Sequence, residues 1–513
     1  MVGGSFNEDL GPKDVLNGGG GYRSLNHFYD PLDNIYGKGL SNVPTDTRDI
    51  AGTNSFAWAS ISNCAGYNYS GRFGVSYFGG NINTSNTWSW QNARGYEWLG
   101  LTAANPIDRQ TYLANMFRAV GQVMHLLEDC SQPQHIRNEQ HLDALGELFW
   151  ESRIEDWGGK HVLTLNYGDG SMLDWRGAVF TKLEDFWDRH LYNGNRDALI
   201  AAENGGQQLG LAEWCNGNFP GERHSFPEYF ARYNSDGTKN IMWYPYPSRV
   251  TSTDYSYLLA NPASGVGSLI LKNGLQRQGI YLNKVGDGVQ YPCISRFTYL
   301  GAKFPKAMGA HSTTIGDENV ISNFHNVFIP KAVKYSAGLL DYFFRGQLAL
   351  SLTRSLDQDN DHFTIAAQNT SGQTFSGGTF SLYQEDVTHT RTLLYQTNMS
   401  GSLPDGDSET MVVPSGTLLT TNASFVLIYQ GTIGVTDGVA SDPVDAGIAI
   451  AAMKFGVFAN NEFIHVGCDR LPEGDILNYH TVPAATAYSP VSEADAEYLA
   501  DQIYVFMYPF ECN

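Results

Sequence analysis

Basic residues are scarce: 32 Lys and Arg stand against 53 Asp and Glu, a formal net charge of −21. Such a field repels nucleic acid and anionic bilayers at long range, and no basic run or RNA-binding signature offsets it. A neutral or zwitterionic substrate is the expectation. Long apolar runs are also missing, since no stretch reaches the roughly 18 residues of a membrane span. The start, Met1-Val2-Gly3-Gly4-Ser5, has no basic and then apolar leader. That leaves a protein that stays inside, or a chain short of its natural N-terminus. The six cysteines (Cys64, Cys130, Cys215, Cys293, Cys468 and Cys512) include no CxxC pair, which excludes a thioredoxin-like redox motif and a zinc ribbon. One to three disulfides can form among them, and the spacing does not set the pairing. Gly18-Gly19-Gly20-Gly21 is not followed by Gly-Lys-Ser or Gly-Lys-Thr, so it is a flexible turn rather than a phosphate loop.

Aromatic residues make up 13% of the chain and charged residues only 17%, a balance closer to an extracellular hydrolase than to a cytosolic protein. At 513 residues the chain should fold as two or three domains.

One stretch concentrates the chemistry. Leu113, Phe117, Val120, Met124 and Leu127 recur at three- and four-residue spacing, which predicts an amphipathic helix from about Asp108 to Asp129. His125 and Asp129 are one turn apart on it, so an imidazole and a carboxylate share a face. Pro133 should stop the helix, and His135 can then fold back toward the same point. Two imidazoles and a carboxylate suit a borderline cation such as zinc. A lone HxxxD would more simply be a core histidine and a C-terminal cap; His135 and an earlier string, Asn26-His27-Phe28-Tyr29-Asp30-Pro31, tip the balance to a metal site.

The HFYDP string followed by HLLEDCSQPQH resembles the zinc-dependent phospholipase C and S1/P1 nuclease family, in which an HFYDP-like segment precedes a helix ending HxxxD and then PxH. The resemblance loosely covers residues 1 to about 345. It implies that His27, His125, Asp129 and His135 are zinc ligands, and that Asp9 both touches a zinc and acts as a general base. In the family a later helix brings HxxxE or HxxxD to a second zinc. Glu151 matches its acidic position, whereas Glu147 stands where the family has histidine. Either His141, from the adjoining loop, or Glu147 itself would then complete the second site. The family's third zinc uses an N-terminal Trp and a following His upstream of the position that Asp9 matches. Only eight residues precede Asp9 here, so one or two ions are expected.

The resemblance implies a mainly α-helical phospholipase C/P1 nuclease-like domain over 1–346, with helices expected at His141–Trp157, Trp175–His190 and from Pro330, taken as a first-turn proline, to about Arg345. Asp185, Asp188 and His190 are expected at the surface. After Gly346 the pattern alternates: Leu348, Leu350, Leu352; Phe363, Ile365, Ala367; Phe380, Leu382; then the run Phe425 to Tyr429. Turn signals separate these runs, which predicts an antiparallel, Ig-like β-sandwich over 347–455. Residues 456–513 form an extension with a short helix expected near Ser492–Phe506. The whole is a multidomain α+β protein. By resemblance it is an extracellular or periplasmic zinc phosphodiesterase acting on phospholipid or another small phosphodiester, with nucleic acid disfavoured by charge and a membrane-surface or carbohydrate contact assigned to the sandwich. The competing expectation is a non-catalytic binding or structural protein that keeps the scaffold with an incomplete metal cluster.

Overall fold

In the structure, a computed structural model, the residues described with their side chains are 26–32, 54–60, 86–136, 158, 177–192, 201–202, 205–218, 321–322, 324–351, 364–399, 401–413 and 424–434. The backbone is further described at 38–42, 50–53, 68–69, 80–81, 137, 221–222, 243–244, 268–270, 276–278, 281–282, 295–297, 313–314, 318–320, 323, 352–357, 360–363 and 448–456. The architecture is mixed α+β, with helices α1 (Ser55–Ser60), α2 (Trp90–Thr102), α3 (Pro106–Glu128), α4 (Leu211–Asn218) and α5 (Glu318–Phe343) ahead of eight antiparallel strands. No helix of the described residues is long and apolar enough to cross a membrane. The expected helices at 141–157 and 492–506, and the extension beyond 456, lie outside the described residues.

Short strands between Lys38 and Thr314 pair in two- and three-stranded sheets; the eight that follow α5 are β1 (Leu348–Asp357), β2 (Asn360–Asn369), β3 (Phe375–Glu385), β4 (Arg391–Asn398), β5 (Ser402–Leu403), β6 (Ser408–Val413), β7 (Ser424–Ile433) and β8 (Ile448–Gly456). One sheet runs β1-β2-β6; the other runs β4-β3-β7-β8, with β5 paired to β3. Ile365, Met411 and Val413 from the first sheet and Phe375, Phe380, Leu382, Phe425, Leu427 and Tyr429 from the second bury in one shared cluster. In β7 the apolar run does not alternate because both faces are covered. Val426 and Ile428 point away from that cluster and bury with Leu101 and Trp98 of α2, as a strand covered on both sides must.

The chain separates into two compact units. The described residues of Thr87–Gln122 and Leu340–Asn513 make one, and those of Asn7–Asn86 and Val123–Leu339 the other. Helices α2 and the first part of α3 thus belong with the strands, and the reason is electrostatic as well as apolar. Glu385 at the end of β3 is buried and takes Arg391 through Nε at 2.9 Å and Nη2 at 2.9 Å, with Arg109 Nη2 at 3.4 Å. Arg109 also donates to the Ala103, Ala104 and His389 carbonyls at 3.0, 2.9 and 2.6 Å. Arg391 reaches the Leu101 carbonyl. These guanidinium groups satisfy the carbonyls that α2 leaves open at its C-terminal end.

Two expected helices are corrected. Helix α5 does not begin at Pro330: it starts at Glu318 and carries Pro330 inside. Proline removes one N–H from the ladder, but Phe324, Phe328, Ala332 and Tyr335 are buried on either side of it and carry the helix through. The segment near Trp175–His190 is not a helix where it is described. Residues 177–180 are without regular structure, and only Glu184–Phe186 turns, as 3-10. Gly177 and Gly338 meet backbone to backbone, so a Cβ on either would overlap the other segment, while Ala178 N–H donates to the Lys334 carbonyl at 3.0 Å. Contact with α5 therefore extends this stretch and overrides the helical spacing of Phe180, Leu183, Phe186 and Trp187. Gly338→Ala should cost about 1–3 kcal/mol by overpacking, measured as a lower urea midpoint with unchanged slope; an unchanged midpoint would refute the close approach.

Candidate metal centre

Helix α3 delivers His125 on its last turn and passes into a 3-10 turn at Asp129–Ser131. Gln132 is extended (φ −93°, ψ 127°), as the residue before a proline prefers. Gln132 N–H caps the Asp129 carbonyl at 2.8 Å, and His135 N–H returns to the Gln132 carbonyl at 3.1 Å. The chain is thus folded back on itself, and Asn216 of α4 fixes the far side by donating to the Ile136 carbonyl at 2.9 Å.

His27 comes from a second, irregular segment in which Asn26, His27, Phe28, Tyr29 and Asp30 are all buried. A buried loop must find partners for its backbone. Tyr29 N–H donates to the His135 carbonyl at 2.9 Å, and Ser55 N–H donates to the Phe28 carbonyl at 3.0 Å. The Ser55 hydroxyl in turn accepts from Trp187 Nε1 at 3.1 Å. Leu32 N–H closes an Asx turn on Asp30 at 2.9 Å. His135 Nδ1 lies 3.2 Å from the His27 carbonyl and its ring stacks on Phe28, centroids 4.7 Å apart.

Three imidazoles converge on one carboxylate oxygen. Asp129 Oδ2 lies 2.9 Å from His27 Nδ1, 3.4 Å from His125 Nε2 and 3.5 Å from His135 Nδ1. The His27 and His125 rings meet edge to face at 5.0 Å. Burial would raise the Asp129 carboxyl, but His125, His135 and His27 together overcome it and hold the group well below the usual carboxylate range. Potential ligand atoms of His27, His125 and Asp129 all lie within 4.8 Å of one another. Zinc bonds of 2.0–2.1 Å in a tetrahedron put ligand atoms about 3.3 Å apart, so two nitrogens and one oxygen in this arrangement fit three corners of such a site. His135 stands beside the group, its Nδ1 engaged with the His27 backbone.

The chain matches no protein-family model. No curated protein matches it either.

The structure therefore brings His27, His125, Asp129 and His135 together, the first three in ligand spacing. Asp9, His141, Glu147 and Glu151 lie outside the described residues. Cys130 and Cys215 are buried free thiols; the other four cysteines are outside. Asp188, expected at the surface, is 1% exposed and accepts from the Tyr29 hydroxyl at 3.1 Å; Asp185 is half-buried, and only His190 of those three is exposed. The supports Phe28, Tyr29, Ser55 and Asp188 were missed as such. HFYDP carried a signal for the first two, since aromatics beside a candidate ligand seldom sit idle. Nothing local marks Ser55 or Asp188.

Proposed function

We propose that His27, His125 and Asp129 hold a zinc ion and that the chain is a zinc-dependent phosphodiester hydrolase of phospholipase C-like type. The observation that carries this reading is the meeting of two imidazoles and a carboxylate, from segments about a hundred residues apart, within 4.8 Å. The order HFYDP, HxxxD, PxH supports it by resemblance. A bound zinc supplies Lewis acidity at a phosphoryl oxygen and a water acidic enough to attack at neutral pH. His27 and His125 offer neutral ring nitrogens, and Asp129 brings the negative charge that offsets part of the cation's. His135, which stands beside the group with Nδ1 3.2 Å from the His27 carbonyl, is suited to a second ion together with Glu151 and either Glu147 or His141. Asp9 is the proposed base. The acidic chain favours phospholipid or another small phosphodiester over nucleic acid. The finer architecture belongs to the same reading: a phospholipase C/P1 nuclease-like helical domain and an Ig-like β-sandwich that contacts a membrane surface or carbohydrate, in an extracellular or periplasmic protein.

One observation favours a second reading, a closed structural ion in a non-catalytic scaffold. His27, Asp129 and His135 are all buried below a tenth of their surface, as in closed structural sites. Elemental mass spectrometry of the purified chain, with hydrolysis of phosphatidylcholine and of a chromogenic phosphodiester before and after chelation, separates them. The hydrolase reading expects one or two zinc ions and activity that vanishes on chelation. His125→Ala should lower zinc and activity together, by more than the roughly 10–100-fold that outer-shell changes cost. Zinc without hydrolysis would favour the structural ion, and the absence of both zinc and hydrolysis would sink the hydrolase reading in favour of a scaffold with an incomplete cluster.

A further inference from the structure

Behind the HFYDP loop lies a second cluster in which backbone geometry, rather than a cation, holds two buried carboxyl groups. Arg189 N–H donates to Glu213 Oε2 at 2.9 Å, His190 N–H to Asp188 Oδ1 at 2.7 Å, and Leu191 and Tyr192 N–H to Glu213 Oε1 at 2.6 and 2.9 Å. Gly210 N–H adds a fourth bond to Glu213, at 2.9 Å. Successive N–H groups can point into one concavity because His190 adopts φ +58°, the left-handed step that makes an anion-binding nest. That conformation is costly for a residue with a Cβ and persists where the surroundings over-determine it.

The two carboxyl groups are not equivalent. Four donors occupy Glu213, so its oxygens only accept. Asp188 Oδ2 accepts from the Tyr29 hydroxyl at 3.1 Å and faces Nδ1 of the exposed His190 ring at 3.3 Å. Of the other groups around the pair, Glu184 adds negative charge near Tyr29, Cys130 is a buried thiol, and the Arg189 guanidinium is committed to the Gln208 carbonyl at 2.7 Å. Two adjacent carboxyl groups out of water favour keeping one proton between them. Burial first, then the charge of Glu213, push Asp188 up to about 7.

We propose that Asp188 is a positioning residue for the proposed zinc centre: held by the His190 N–H, it anchors the Tyr29 hydroxyl and through it the loop that presents His27. The shared proton is a property of the fold alone; the effect on His27 rests on the zinc reading. The sign follows from linkage. A carboxyl raised in the folded state stabilises fully below its unfolded pKa of about 4, and that contribution is lost as pH rises to about 7. Above that value Asp188 ionises beside Glu213 and the two carboxylates repel.

The test is Asp188→Asn, which keeps the side chain's volume and an acceptor for the His190 N–H but cannot ionise, set against Asp188→Ala. Melting of the full chain between pH 4 and 8 should show Asp188→Asn gaining on the wild type up to about pH 7 and melting a few degrees higher at pH 8. A lower melting point there would overturn the shared proton. Zinc titration at pH 8 should find Asp188→Asn at least as tight as the wild type and Asp188→Ala about 10–100-fold weaker, the cost of a lost outer-shell support. Wild-type affinity in Asp188→Ala would overturn the positioning role. If Asp188→Ala fails to fold, Tyr29→Phe removes only the linking hydroxyl and should weaken zinc in the same direction; unchanged affinity would again overturn it. A wild-type chain that takes up no zinc would sink the positioning half together with the zinc reading, and the melting series would still decide the proton.

Discussion

Asp129→Asn should leave the chain unable to retain zinc through dialysis and should destabilise the metal-free protein at pH 7 by about 3 kcal/mol, the lower end for breaking a buried charged pair. The substitution keeps the volume and removes only the charge. Asp129 is the sole carboxylate in the group that His27 and His125 form, and His135 leans on it as well. With a neutral amide, three imidazoles lose the anion that orients them and a bound dication loses a negative ligand. The pH dependence has a definite sign. Asp129 is held below its ordinary range, so its contribution is present above about pH 4 and lost as acid carries the solution through the lower folded value. Zinc affinity should also fall in acid, because an imidazole binds the ion only in its neutral form. Competition with a chelating dye measures affinity, and urea unfolding measures stability. Unchanged zinc affinity in Asp129→Asn would remove Asp129 from the ligand set.

The second large effect concerns the strand-rich unit. Glu385→Ala should cost about 3–5 kcal/mol, because it leaves Arg391 and Arg109 buried without their carboxylate. In a unit of this size that corresponds to a fall in melting temperature of roughly 10 °C. His389, whose Nδ1 lies 3.1 Å from Glu385 Oε1, is 70% exposed at its side chain and contributes little to the loss. Glu385→Gln retains an acceptor for Arg391 and should lose less. Equal melting of the wild type and Glu385→Ala would show that the two guanidinium groups are held by carbonyls alone.

What could be read beforehand divides by the range of the interaction. Helix α3 and the shared face of His125 and Asp129 follow from local periodicity, as do the strands after Gly346, because each repeats a pattern over a few residues. The run Phe425 to Tyr429 announced a strand but not that α2 would cover its second face. Pro330 read as a helix start since a proline suits a first turn; packing on both sides of it decided otherwise. Phe180, Leu183, Phe186 and Trp187 have helical spacing yet lie in a stretch pinned by the Gly177 and Gly338 contact, which no local signal reports. Asp188 shows the same limit. An acid in Trp187-Asp188-Arg189-His190 looks solvated until Tyr29, 159 residues away, is found on it. The joining of α2 to the strands rests on Arg109 and Glu385, 276 residues apart.

That last separation bears on the order in which a ribosome releases the chain. The Leu101 and Ala104 carbonyls emerge with their helix, but Arg391, which donates to both, follows by up to 290 residues. Until then the Leu101 carbonyl is left to water, and Leu101 and Trp98 have no strand to cover. Contacts of such separation are slow to close, and a nascent chain that exposes them meanwhile is open to aggregation. The first helices of the strand-rich unit are thus synthesised early and completed late, after the whole intervening unit has left the ribosome.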